Sequence, residues 1–324
     1  MIFRPIETHT HTVHSDGDFK VEELMKACHD FGYAGMILSD HNTDSGYQEV
    51  TEDKVEKYLP VIRAIEWTTY FGHVLVIGAD HFVDWRFALP ETIDDYFAEI
   101  VEADGVIGIA HPFSMGGVLY TGGFFEFQVH DWSKVSFIEV FSKAKNTSMK
   151  SNARALDWWF SLLNEGQHLA ITSGRDWHRP DPEERPVSVT YVGLKDGVVN
   201  EAGVKKALRN GRTYVTYGAA MNLSFVQEGS AYVVGDTLVK GPCTVNLALD
   251  FQERSEHWQK WNYDWRTVRV IADGRVIKDV PYSLGGVKVA VDGSYDWMVV
   301  GVYGTIGGAE KEELLAMSSP VYFG

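Results

Sequence analysis

The sequence predicts an α/β fold: a closed barrel in which strands alternate with helices, followed by a small antiparallel β-sandwich. Three observations carry this. Strand-like and helix-like runs alternate through the first two thirds of the chain, and the strands are continuous apolar runs, as in a parallel sheet covered on both faces. Roughly seven such units favour a closed barrel over an open sheet. Past Gly211 the helix patterns stop, and short β-rich runs separated by Gly-Asp, Asp-Gly and Gly-Gly turns take over. The division this gives is 1–211 for the barrel and 212–324 for the sandwich.

In chain order, residues 2–8 read as a strand entering the turn Ser15-Asp16-Gly17. Val21, Leu24, Ala27, Cys28 and Phe31 recur at helical spacing, and Gly32 ends that helix. An apolar run at 33–38 is a buried strand delivering Ser39-Asp40-His41-Asn42, and 46–59 is a helix with a charged outer face. Strands follow at 61–65, ending on Glu66, and at 73–79. A helix at 92–103 leads to a strand at 105–110 that ends in His111-Pro112, and 135–141 is a strand carrying Glu139. A helix at 151–164 turns Leu156, Trp159, Phe160 and Leu163 inward, and a strand at 168–172 runs into Arg175-Asp176-Trp177-His178. The barrel finishes with a strand at 187–192 and a helix at 202–209. Beyond it, strands are expected at 221–227, 244–250, 267–272, 287–291, 297–303 and 320–323. The aromatic-rich loop 253–265, with Trp258, Trp261, Tyr263 and Trp265, is expected to pack against the barrel or a second subunit; the sharper alternative is a lid facing a ligand.

Composition bounds the function. Apolar residues make up 45% of the 324 and charged residues 23%, as in an ordinary globular chain. A net charge of −16 opposes attraction to nucleic acid or an anionic membrane, although bound metals would make one site locally positive. The two cysteines, Cys28 and Cys243, form no metal or redox motif and read as apolar core residues in a reducing compartment. MIFRPIETH holds no signal core, so the expected location is cytoplasmic. The expected partner is a small, anionic substrate, with a homo-oligomer contact left open.

The chemistry begins at Glu7-Thr8-His9-Thr10-His11. Residues i and i+2 of a strand share a face, so His9 and His11 point the same way, with Asp16 one turn on. Imidazole and carboxylate together bind divalent metals of the zinc, manganese and iron class. In a barrel the carboxyl ends of the strands meet at one rim, so His9, His11, His41, Glu66, His111, Asp176 and His178 converge despite their separation in sequence.

His9-x-His11 with Ser15-Asp16-Gly17, then Ser39-Asp40-His41-Asn42, Glu66, Ala110-His111-Pro112 and Asp176-x-His178 resemble, in order, the motifs of the PHP (polymerase and histidinol phosphatase) superfamily. Glu66-Trp67-Thr68-Thr69, Gly72 to Gly78 and the terminal Ser318-Ser319-Pro320-Val321-Tyr322 resemble a branch with a C-terminal β-domain that includes carbamate and aryl-ester hydrolases as well as phosphoesterases. The resemblance implies a distorted (β/α)7, TIM-like barrel holding two to three divalent ions (Zn, Mn or Fe). It implies a first ion on His9, His11 and Asp176, with Glu66 bridging to a second. His111 and His73 would complete the second, and Asp16, His41 and His178 would hold a third. Members of that superfamily place a histidine where this chain has Leu75; His73 lies two residues earlier on the same strand face. A guanidinium beside a ligand suits a substrate oxyanion, which makes Arg175 the candidate catalytic cation, with a structural ion pair as its alternative. His14, Asp40 and Glu139 are candidates for contact with substrate or for orienting a ligand.

The function expected is a metal-dependent hydrolase that activates water for attack on a small phosphate ester. Carbamate or aryl-ester hydrolysis by the same centre is the alternative. A non-catalytic, metal-stabilised binding protein is the second alternative, disfavoured because structural zinc sites close on four ligands. No Gly-x-Ser-x-Gly is present to supply a covalent nucleophile.

Overall fold

The computed structural model describes residues 1–115, 122–142, 150–181 and 185–324. The chain is a mixed α/β protein, mostly sheet with few helices. Its first part runs β1 (Ile2–Thr10), α1 (Val21–Asp30), β2 (Gly35–Leu38), α2 (Glu52–Lys57), β3 (Val61–Thr69), β4 (Gly72–Ile77), α3 (Ile93–Glu102), β5 (Val106–Ile109), β6 (Val135–Ser142), α4 (Lys150–Asn164), β7 (Ala170–Gly174), β8 (Val189–Leu194) and α5 (Glu201–Arg209). The expected helix at 46–59 is shorter: a 3-10 turn at Ser45–Glu49 and then α2, which buries no residue.

Strands β1 to β7 curl into a ring. Pairing is parallel for β1–β2, β2–β3, β5–β6 and β6–β7. The expected all-parallel order fails at β4, which is antiparallel to both β3 and β5. Only Tyr70 and Phe71 separate β3 from β4. Two residues permit a hairpin, whereas a parallel crossover needs a dozen or more. The ring closes beyond the strand ends: Thr10 bridges Trp177 in parallel, with His11 N donating to Trp177 O and Trp177 N to His9 O, both at 3.1 Å. Below that bridge β8 runs antiparallel to Ile2–Ile6 of β1, and the hydroxyls of Thr8 and Thr190 tie β7 to its neighbours through Ser173.

The ring is filled. Ile6, Ile37, Ile62, Leu75, Ile77 and Phe137 form one apolar cluster with Val204 and Leu208 of α5, which closes the amino end. The polar residues His9, His11 and Glu66 lie beyond this cluster, toward the carboxyl ends of β1 and β3.

The second part holds β9 (Thr213–Thr216), β10 (Ala220–Gln227), β11 (Ser230–Tyr232), β12 (Thr237–Leu238), β13 (Cys243–Asp250), α6 (Ser255–Trp258), β14 (Tyr263–Ala272), β15 (Arg275–Pro281), β16 (Val287–Val291), β17 (Trp297–Ile306), β18 (Glu313–Ser318) and β19 (Val321–Phe323). One sheet is β11-β10-β13-β16; the other runs β12-β19-β17-β18-β9, with β14 and β15 attached at β17. Phe225, Val245 and Leu247 of the first share an apolar cluster with Val268, Val270, Val300 and Val302 of the second. The larger sheet is not free-standing: β9 pairs with β8, so ladder bonding runs unbroken across residue 211. The strands missed by sequence, among them β9, β15 and β18, are short, exposed or interrupted by a bulge. Trp258 is buried and its indole N–H donates to Glu253 O, with Tyr263 and Trp265 against it, so the aromatics of this loop pack first on one another.

Candidate metal centre

Ladder geometry delivers the side chains. Thr10 and Trp177 are bridge partners, so the residues flanking each of them turn to the opposite face together: His9 and His11 on one chain, Asp176 and His178 on the other. A second parallel bridge sets His41 beside Glu66. Across the β3–β4 hairpin His73 pairs with Thr68 and Leu75 with Glu66. His73 therefore stands one rung closer to the rim than Leu75, on the face Glu66 uses. Two of these residues have left-handed backbones, His111 (φ 26°) and Asp176 (φ 51°). Such conformations cost about 1–3 kcal/mol each and persist where the surroundings hold them.

Glu66 is the hub. Its Oε2 lies 3.2 Å from His9 Nε2, 3.3 Å from His11 Nε2 and 2.8 Å from His41 Nδ1, while its Oε1 lies 3.0 Å from both His73 Nδ1 and His111 Nε2. Asp176 Oδ1 stands 3.2 Å from His11 Nε2 and 3.6 Å from His9 Nε2, and Asp16 Oδ1 stands 3.1 Å from His178 Nε2 and 3.4 Å from His41 Nε2. Among the described residues, three groups have donor atoms all within 4.8 Å of one another: His9, His11, Glu66 and Asp176; Glu66, His73 and His111; and His11, Asp16, His41 and His178. The nine residues expected as ligands come together, with Glu66 shared by two groups and His11 by two.

The charges are tightly coupled. Burial pushes Glu66 and Asp176 up, but the histidines outweigh it and hold both well below the usual carboxylate range. Burial pushes His9 down, yet Glu66, Glu139 and Asp176 hold it well above its ordinary value. His111 and His178 rise for the same reason, whereas in His11 burial wins and carries it down to about 4.

Behind the cluster, Glu139 is fully buried and its Oε2 lies 2.9 Å from His9 Nδ1, which turns His9 Nε2 toward Glu66. Gly174 makes room for that pair: a Cβ there would fall 2.4 Å from His9 Cβ and 2.6 Å from Glu139 Oε2. Asp40 differs from expectation. It orients no imidazole; its carboxylate accepts from Thr12 N, Thr12 Oγ1 and Ser15 Oγ, all at 2.7 Å, and so shapes the turn that carries Asp16. His14 faces Ser45 Oγ at 2.9 Å and Glu49 Oε1 at 2.8 Å rather than the cluster. Thr68 Oγ1, 2.5 Å from His41 Nδ1, and Glu7, which accepts from His9 N and Arg175 N, were not singled out from sequence. The signal for Glu7 was its place two residues before His9 on the same strand face.

A cleft of about 1000 Å³ opens over the centre, lined by Asp16, His41, His73, His111, Asp176 and His178 and, around them, by Tyr70, Trp85 and Arg179. Arg175 is not there. Its guanidinium lies over the Trp177 ring, 3.6 Å from the centroid, and the residue lines a separate hollow. The alternation that turns Asp176 and His178 inward turns Arg175 and Trp177 outward. Arg179, 71% exposed and with its Nε 3.9 Å from Asp18 Oδ2, is the arginine among the described residues that line the cleft, and its place next to His178 was the overlooked signal.

No protein-family model and no curated protein matches the sequence. Among solved structures, a two-domain protein from Bacteroides vulgatus described as containing a predicted PHP-like metal-dependent phosphoesterase aligns over 97% of this chain and 95% of its own, at 14% identity and a TM-score of 0.54. The chain shares the fold of that protein. A protein from Bifidobacterium adolescentis provisionally described as a metal-dependent phosphoesterase aligns over 63% of this chain and 95% of its own (17% identity, TM-score 0.40), and an amidohydrolase from Chromobacterium violaceum over 54% and 88% (17% identity, TM-score 0.39).

The donor set itself fits divalent cations. Among the described residues, buried atoms at its centre make no well-aligned hydrogen bond: Nε2 of His9, both ring nitrogens of His11, Oε2 of Glu66, Nε2 of His73 and Nδ1 of His111. Buried polar atoms are normally paired, and leaving one unpaired costs about 1–3 kcal/mol. Six such atoms within one cluster fit a set of metal ligands. Nitrogen and oxygen donors without thiolate suit zinc, manganese or iron. Among the described residues no helix is long and apolar enough to cross a membrane.

Proposed function

We propose that this chain is a metal-dependent hydrolase of the PHP superfamily that cleaves a small phosphate ester. The observation that carries the reading is Glu66: one buried carboxylate whose two oxygens face two separate sets of histidines. That is the donor arrangement for neighbouring ions, and the third group, on Asp16, His41 and His178, extends it along the cleft. Residues 1–211 form the catalytic unit, a distorted (β/α)7 barrel, and 212–324 a supporting β-sandwich.

His9, His11, Glu66 and Asp176 would hold one ion, Glu66, His73 and His111 a second, and Asp16, His41, His178 and His11 a third. Bound there, divalent ions supply Lewis acidity and an activated water. The chain's own groups do the rest. Glu139 fixes the His9 ring, and Asp40 fixes the turn bearing Asp16. Arg179 offers an anionic substrate a two-pronged guanidinium at the cleft mouth. Tyr70 and Trp85, on the His73 side, offer apolar surface to its organic group.

One observation favours carbamate or aryl-ester hydrolysis instead. Arg175 faces away from the cleft and Arg179 is largely exposed, so a dianion gains less from side chains than a neutral aryl substrate gains from Tyr70 and Trp85. Assays of the metal-reconstituted chain on an aryl phosphate, an aryl phosphodiester, an aryl carbamate and an aryl acetate separate the two. Turnover of a phosphate ester supports the first reading; turnover confined to carbamate or acetate replaces it with the second.

A further inference from the structure

Segment 175–178 has two faces. Asp176 and His178 belong to the metal centre; Arg175 and Trp177 line a cavity of about 300 Å³ on the other side. The cavity sits where the first part of the chain meets the second. Phe31, at the end of α1, forms one wall, and Lys260 and Trp261, just past α6, form another. Junctions of this kind commonly hold small ligands.

Two features make it a built site. The Arg175 guanidinium lies over the Trp177 ring, 3.6 Å from its centroid, and 4.9 Å from that of Phe31, so two rings hold it in place. Phe19 packs edge-on against Trp177, and Arg254 Nη2, donating to Phe31 O at 3.1 Å, holds Phe31 from behind. Among the described residues the Arg175 side chain donates no hydrogen bond, and its backbone N–H alone meets Glu7. A planar fork of donors held against an indole and open to a cavity recognises an oxyanion, and the rings around it recognise a flat apolar body. Lys260 also lines the cavity. Of the carboxylates that line it among the described residues, Asp30 pairs with Lys26, and Asp181 lies 3.9 Å from Arg185, so those two offset each other.

We propose that this cavity is a second ligand site, distinct from the metal cleft, for a small molecule that carries one anionic group on a flat aromatic body. The anion sits on the Arg175 fork with Lys260 beside it, and the ring lies among Phe31, Trp177 and Trp261. The proposal does not depend on what the metal centre hydrolyses.

The test is calorimetric titration of the metal-loaded full chain with naphthalene-2-sulfonate, which contains no ester to cleave, and with the neutral naphthalene-2-sulfonamide. One sulfonate should bind per chain, with the sulfonamide weaker by about tenfold or more. Arg175→Gln and Lys260→Ala should each weaken sulfonate binding by about tenfold, and Arg179→Ala, in the metal cleft, should leave it unchanged. Lys260 is exposed, so its variant reports even where Arg175→Gln does not fold. No binding at millimolar sulfonate, equal binding of the two probes, or loss with Arg179→Ala but not with Lys260→Ala would each overturn the proposal.

Discussion

Replacing Glu139 isolates the contribution of a residue that touches no proposed ion. Its carboxylate lies 2.9 Å from His9 Nδ1, and both side chains are fully buried. With Nδ1 as donor to that carboxylate, the lone pair of Nε2 is free for an ion that Glu66 would share, and the ring orientation is held. Glu139→Gln keeps an oxygen acceptor of the same reach but removes the charge. Glu139→Ala removes both and leaves a hole beside His9. Loss of an outer-shell partner of a metal histidine typically costs 10–100-fold in metal affinity, about 1.4–2.7 kcal/mol. Gln is expected near the lower figure and Ala near the upper. The assay is competition with a chelating dye at neutral pH, alongside thermal melting of the metal-free proteins, which separates loss of affinity from loss of fold. Glu139→Ala with wild-type metal affinity would refute the idea that His9 depends on it.

Other outcomes follow from the same geometry. Gly174→Ala puts a Cβ within 2.4 Å of His9 Cβ, so it should lower metal affinity or leave the protein insoluble; an unchanged metal isotherm would show that β7 can shift to accept it. In the metal-free protein, Glu66 and Asp176 lie well below their ordinary values, and His9, His111 and His178 lie above theirs. The depressed carboxylates contribute stability that is lost as pH falls below about 4, and the raised histidines contribute stability that is lost as pH rises above about 6.5. Metal binding needs neutral histidines, so the rise in Tm produced by metal should grow between pH 6 and pH 8, and a flat or shrinking rise would contradict the assignment. Arg179→Ala should reduce kcat/KM on an aryl phosphate by roughly tenfold or more while changing aryl acetate turnover little; equal losses on both would make Arg179 a structural residue.

Much of the site was legible because its chemistry sits where strand periodicity can be read. His9 and His11, like Asp176 and His178, are two apart, and each pair flanks a residue of the Thr10–Trp177 bridge. The same rule, followed one residue further, turns Arg175 outward. Assigning it to the oxyanion took nearness in sequence for nearness in space. Glu139 could not be ranked from sequence, since a carboxylate at a strand end looks the same whether an imidazole or water meets it. The reversal of β4 was readable in the missing crossover helix between Thr69 and Gly72, whereas the pairing of β9 with β8 depends on long-range register that no local pattern encodes. Asp40 illustrates a further limit: its neighbour His41 faces the centre, but its own carboxylate closes a turn whose donors lie 25 and 28 residues earlier.

Elemental analysis of the chain, purified without chelator, decides whether the cluster around Glu66 is a metal centre. Two to three divalent ions per chain are expected, falling to one or fewer in Glu66→Ala, which removes the carboxylate shared by two of the three ligand groups. Less than one ion per chain in the wild type, after dialysis against zinc, manganese and iron in turn, would contradict it.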